Sequence, residues 1–173
     1  MSERWSYTSS MTASIPVIVY ARELGVSREE MYRALLISNL VTLHEKQGIG
    51  RLSAYCGAVS AGAGAGAGIA YLNGGDYKTI AHTIVNALAI TSGIVCDGAK
   101  ASCAAKIAAA VDAGILGYEM HVNGQQFYGG DGLVLKGVEN TIQNIGRLGK
   151  VGMKETDREI IRMMVGGQDS EHC

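Results

Sequence analysis

From Arg51 to Leu72 the chain reads RLSAYCGAVSAGAGAGAGIAYL, with Gly62, Gly64, Gly66 and Gly68 alternating with alanine. Residues this small let neighbouring backbones approach closely, so the segment must sit where other elements press on it. By period alone it could be a silk-like strand. The length of the small and apolar run from Arg51 to Leu72, its Arg/Ser start and its Asn73-Gly74-Gly75 stop favour a buried helix. Each glycine weakens such a helix by about 1 kcal/mol relative to alanine.

Helix signals flank this run. Ser14-Ile15-Pro16 reads as a helix start and Gly25 as its C-terminal cap, which leaves residues 1–11 as an irregular segment. Ser27-Arg28-Glu29-Glu30 is a capping box for a helix reaching about Glu45. Asp76 can cap a helix from Tyr77 to about Ile90. Ala99 to about Ala113 has strong helical composition, and Gly114 is expected to end it. Residues 115–135 suit a loop or a short hairpin. Val138–Leu148 reads as a helix, and Thr156-Asp157-Arg158-Glu159 as a second capping box opening a last helix through Met164. Strand signals are weak throughout. The expected fold is all-α: a compact bundle of about six to seven helices around the Gly/Ala-rich one, with room for one short β-hairpin. The helical domain spans residues 12–165, and a polar tail covers residues 166–173.

The 173 residues suffice for one domain with a core. A formal net charge of -1 offers no basic field for nucleic acid. The N-terminus has no apolar signal-peptide core, and no apolar run of about 18 residues is free of turn signals, so no membrane span is expected. Four cysteines in such a chain do not read as a secreted disulfide scaffold, and a reducing cytoplasm is the expected location.

The chemistry concentrates at Cys56 and Cys96, both set among Gly, Ala and Ser. A soft thiolate pair suggests an iron–sulfur cluster or zinc before a disulfide. Their separation of 40 residues excludes compact C-x-x-C spacings, which disfavours a structural zinc module. Two buried structural thiols are the plain alternative. Cys103, seven residues after Cys96, faces the same region if helical and is a weaker candidate ligand, as is the terminal Cys173 if its tail folds back. Around these lie His44, Lys46, Arg51 and Ser53 before Cys56, and Lys100 and Ser102 after Cys96. An amino-acid substrate needs a cation for its carboxylate and polar groups for its amine. Arg51, Ser53, Lys100 and Ser102 are therefore candidate substrate contacts, Lys46 a carboxylate contact or catalytic group, and His44 the candidate base. Helix-end charges meeting solvent explain the same residues without a site.

Three stretches carry a resemblance: IGRLSAYCGAVSAGAGAGAGIAYL, GIVCDGAKASCAAKIAAAVDAG and GVENTIQNIGRLGKVGMKETDREIIRMM. They resemble the C-terminal part of the family of L-cysteine desulfidases and their relatives, which is related to the α-chain of iron–sulfur L-serine dehydratases. The likeness runs from about Thr12 to Val165. It implies a 4Fe–4S cluster in place of pyridoxal phosphate, held by three cysteines with one iron open to substrate. Two of the three ligands match Cys56 and Cys96. The third lies in a Gly-Cys-Thr-type motif near the N-terminus of a full-length member, and this sequence has no such motif. The sequence begins where roughly the last two-fifths of a member would begin. The resemblance thus implies a lyase releasing pyruvate, ammonia and sulfide or water from L-cysteine or L-serine. It also implies a need for the N-terminal half or a partner subunit, and little activity from this chain alone. Large Ala/Gly surfaces suggest homo-oligomers. A helical interaction domain that has lost the cluster is the competing expectation.

Overall fold

The computed structural model describes residues 2–50, 53–98 and 100–166, with side chains from residue 9 onward. Seven α-helices follow in order: α1 (Ser2–Glu23), α2 (Arg28–Ile49), α3 (Gly57–Leu72), α4 (Tyr77–Thr91), α5 (Ala101–Val122), α6 (Val138–Arg147) and α7 (Lys154–Gly166). A π-helical turn, Leu148–Gly152, joins the last two. Among the described residues there is no strand; an isolated antiparallel bridge pairs Tyr55 with Val95. The all-α bundle expected from the sequence is the observed fold.

Helix α3 is the hub, touching α1, α2, α4 and α5. Every residue from Ala58 to Ala70 is buried. Its glycines work in two pairs, each four residues apart and so on one helix face. Gly62 and Gly66 face α5, where a Cβ on Gly62 would lie 2.2 Å from the Ala110 carbonyl oxygen and one on Gly66 2.7 Å from that of Gly114. Gly64 faces α2, where a Cβ would meet Thr42 Oγ1 at 2.2 Å, and Gly68 faces Val17 and Ala34. The Gly/Ala alternation is thus two opposite seams of near backbone contact. Around α3, Val59, Ala63 and Ala67 join Ile84 and Leu88 of α4 and Ile142 and Ile145 of α6 in the main core.

Several local expectations are corrected. Residues 2–11 are helical, not irregular, and Pro16 lies inside α1 instead of opening it. The cause is packing: Ser9, Ala13, Val17 and Ala21 form a buried stripe, and Ser38 Oγ of α2 donates to the Ala13 carbonyl at 2.7 Å. That stripe outweighs the proline's missing donor. Helix α5 passes through Gly114 to Val122, because Gly114 is a contact point with Gly62 and Gly66. Residues 115–122 therefore belong to a helix, and no hairpin follows them. The helical run expected from Arg51 begins at Gly57; residues 53–56 form a loop that carries Cys56, and Arg51 and Leu52 lie outside the described residues. The second capping box is absent: α7 starts at Lys154 directly from the π-turn, and Glu155 pairs with Arg158. The first box is present at Ser27 and Glu30, and Asp76 caps α4 through the Thr79 amide. By length and composition α5 is apolar enough to cross a membrane, although none was expected; Asp112 lies mid-helix and one face is pressed on α3. Most of the tail, from residue 167, falls outside the described residues, Cys173 included.

Candidate functional site

Helix α3 starts where the loop before it meets the loop after α4. The Cys56 amide donates to the Ile94 carbonyl at 3.2 Å, and the Cys96 amide to the Ala54 carbonyl at 2.6 Å. These bonds flank the Tyr55–Val95 bridge and hold two cysteines 40 residues apart in register. Cys56 is the N-cap of α3, and its side chain makes no capping bond. Ser53 locks the loop from behind, donating to the Gly149 carbonyl of the π-turn at 2.6 Å and accepting from the Tyr55 amide at 3.0 Å.

This backbone pairing sets the thiols of Cys56 and Cys96 close enough for each to act on the ionisation of the other. Hydrogen bonding from Cys96 would pull the Cys56 thiol down, to about 6; the Ala58 amide at the start of α3 and the Lys106 ammonium help, while burial opposes. The same bond and burial push Cys96 up. One thiolate and one thiol is the state this geometry favours. Lys106 on α5 is anchored beside them by the Val95 carbonyl at 3.0 Å and by Asp97. Cys103, in the first turn of α5, is within electrostatic reach of Cys56, and burial raises its thiol.

Under this loop lies a buried polar group of a different kind. Glu45 of α2 is 2% exposed, and neither carboxylate oxygen has a hydrogen-bond partner. Burial holds its carboxyl well above the usual range, with Ser60 acting weakly the other way. Tyr55 and Ser60 are also buried with unpartnered hydroxyls. Burial raises the Tyr55 phenol, and Glu45 and then Cys56 push it further.

The other candidates lie as follows. His44 is at the surface, its Nε2 2.8 Å from Glu139 of α6. Lys46 is half-buried on α2; Lys100 and Ser102 are exposed at the start of α5. None of them hydrogen-bonds to Cys56 or Cys96. Arg51 is outside the described residues. Sequence reasoning missed Glu45, Tyr55, Ser60 and Lys106. For Glu45 a signal existed: Ala34, Ser38, Thr42, Glu45 and Ile49 form the inward stripe of α2.

The donor set can be judged against an iron–sulfur cluster. Two soft thiols side by side, next to a helix N-terminus and an ammonium, suit two of its ligands. Among the described residues no group of three or more His, Cys, Asp or Glu could hold a metal ion. The pair fits part of such a cluster, and a third ligand would have to come from elsewhere.

The model of the serine dehydratase alpha chain family matches residues 7–162. A UPF0597 protein of Desulfitobacterium hafniense is 71% identical over 160 residues, covering 92% of this chain and 37% of that protein. UPF0597 proteins of Lachnoclostridium phytofermentans and Treponema denticola are 54% and 49% identical, covering 92% of this chain and 38% and 37% of their own length. The chain thus spans under two-fifths of these relatives. No solved structure gives a significant match.

Proposed function

We propose that this chain, which belongs to the serine dehydratase alpha chain family, is the C-terminal, cluster-holding part of an iron–sulfur lyase. The reaction is β-elimination on L-cysteine or L-serine, giving pyruvate, ammonia and sulfide or water. What supports this reading is the backbone pairing that brings Cys56 and Cys96 together at the N-terminus of α3. Cys56 and Cys96 would hold a 4Fe–4S cluster, whose open iron supplies Lewis-acid polarisation of the substrate.

The chain's own residues do the rest of the holding. Lys106 and the α3 amides favour a thiolate at Cys56. Ser53 fixes the loop so that both sulfurs stay aligned. Arg51, Lys100 and Ser102 are proposed contacts for the substrate carboxylate, with Lys46 nearby on α2. His44, the base candidate of the sequence, lies at the surface with Nε2 against Glu139 and makes no hydrogen bond to Cys56 or Cys96. The third ligand and the remaining substrate contacts are proposed to come from a region that matches the other three-fifths of the relatives, in the same polypeptide or a partner. Free thiols of this kind suit a reducing cytoplasm.

Anaerobic loading with iron and sulfide, read as iron bound per chain, tests the assignment. The parent is expected to retain iron, most of all when mixed with the N-terminal region of a relative, and Cys56→Ala or Cys96→Ala is expected to abolish retention. Equal iron in parent and variants would overturn it. Pyruvate release from L-cysteine or L-serine by the mixed protein then tests the reaction.

A further inference from the structure

Four buried side-chain atoms lack a hydrogen-bond partner among the described residues: Glu45 Oε1 and Oε2, Tyr55 Oη and Ser60 Oγ. All four are oxygens. They come from three elements that meet: Thr42, on the buried stripe of α2 with Glu45, donates to the Ser60 carbonyl at 3.4 Å, and Ile49 at the end of that stripe and Tyr55 both lie against Gly149. Buried polar atoms are rarely left unpaired, and each one so left costs about 1–3 kcal/mol. Four in one place, with no other buried side-chain oxygen or nitrogen of the described residues left unpartnered, is a built feature.

We infer that Glu45, Tyr55 and Ser60 form a binding site for a small N–H-donating cation, of which ammonium is the simplest, beneath the cysteine loop. A carboxylate only accepts hydrogen bonds, and both hydroxyls can accept. A cationic donor would satisfy the oxygens and supply the charge that burial withholds from Glu45. Among the described residues no cation does so. Lys106 is committed to Asp97 and to the Val95 carbonyl. Among the described residues Lys46 is in no ion pair. His44, one residue from Glu45, is turned about 100° around α2 and meets Glu139 at the surface. The identification of this cation with the ammonia released in catalysis rests on the lyase reading; the cation site itself does not.

Thermal unfolding of the chain in ammonium, sodium, potassium and tetramethylammonium chloride at equal ionic strength tests the site. Ammonium is expected to raise the melting temperature by about 3 °C above the sodium value. Tetramethylammonium, which has no N–H, should give no rise. Glu45→Gln keeps the shape, removes the charge and should lose the ammonium-specific rise; Tyr55→Phe should reduce it. Cys96→Ser should keep it whole, which separates this site from the fate of the cysteine assignment. Equal melting temperatures in all four salts, or a rise retained in Glu45→Gln, would overturn the site. A potassium response as large as that of ammonium would overturn the N–H-donor assignment.

Discussion

The middle of α3 and its N-terminal end meet the problem of burial in opposite ways. From Ala61 to Ala70 the helix carries no side-chain polar atom, and its backbone is touched directly by α5 on one side and α2 on the other. From Cys56 to Ser60 the same helix is equally buried but surrounded by thiols, hydroxyls, a carboxyl and an ammonium. The glycine-lined middle permits no adjustment, since nothing flexible stands between the backbones. That rigidity fixes where the polar end sits. A site that must hold two sulfurs in register gains from being mounted on the least compressible part of the fold.

The contrast can be broken most severely in the middle. Gly62→Ala places a methyl 2.2 Å from a carbonyl oxygen of α5, and urea unfolding should show a loss of about 3 kcal/mol. The polar end should respond by chemistry instead of size. Glu45→Ala is expected to destabilise by about 2 kcal/mol, by cavity and by the loss of Ser60's neighbour, while Glu45→Gln stays near the parent. The sign of the pH effect follows from burial. The folded state keeps a proton on Glu45 that the unfolded chain releases near the ordinary glutamate value of 4.5. In ammonium-free buffer, stability should therefore fall as pH rises above that value, by at most about 1.4 kcal/mol per unit, until the raised folded value is reached. Glu45→Gln should be flat in that window; a slope as steep as the parent's would contradict a neutral buried acid. Ser53→Ala sharpens the comparison further, with an expected loss of about 1 kcal/mol and faster alkylation of the freed cysteine loop. His44→Ala should be the smallest effect, within about 0.5 kcal/mol, because its pair with Glu139 is half-exposed.

The fold was legible where local chemistry and packing agreed. Ser27, Asp76 and Gly25 mark helix ends with their own side chain or backbone, and the structure keeps those ends. It was illegible where a distant partner decides. Gly114 looks like a stop until Gly62 and Gly66 lie against it, and Pro16 looks like a start until Val17 and Ala13 are buried. The site shows the same division. Cys56 and Cys96 stood out by their small-residue surroundings. Lys106 and Tyr55 did not, because their roles come from a bridge between loops that no spacing encodes. Glu45 was readable from the inward stripe of α2, but its charge made it look like part of a solvated helix end.

The pairing of Cys56 with Cys96 is tested most directly by the pH profile of Cys56 alkylation, read by mass spectrometry on its own peptide. In the parent the rate should rise with a midpoint of about 6. In Cys96→Ala the midpoint should move up, toward or beyond the ordinary thiol value of about 8.5, because the hydrogen bond that stabilises the thiolate is gone. A midpoint that is the same in both proteins would mean that the two sulfurs do not act on each other.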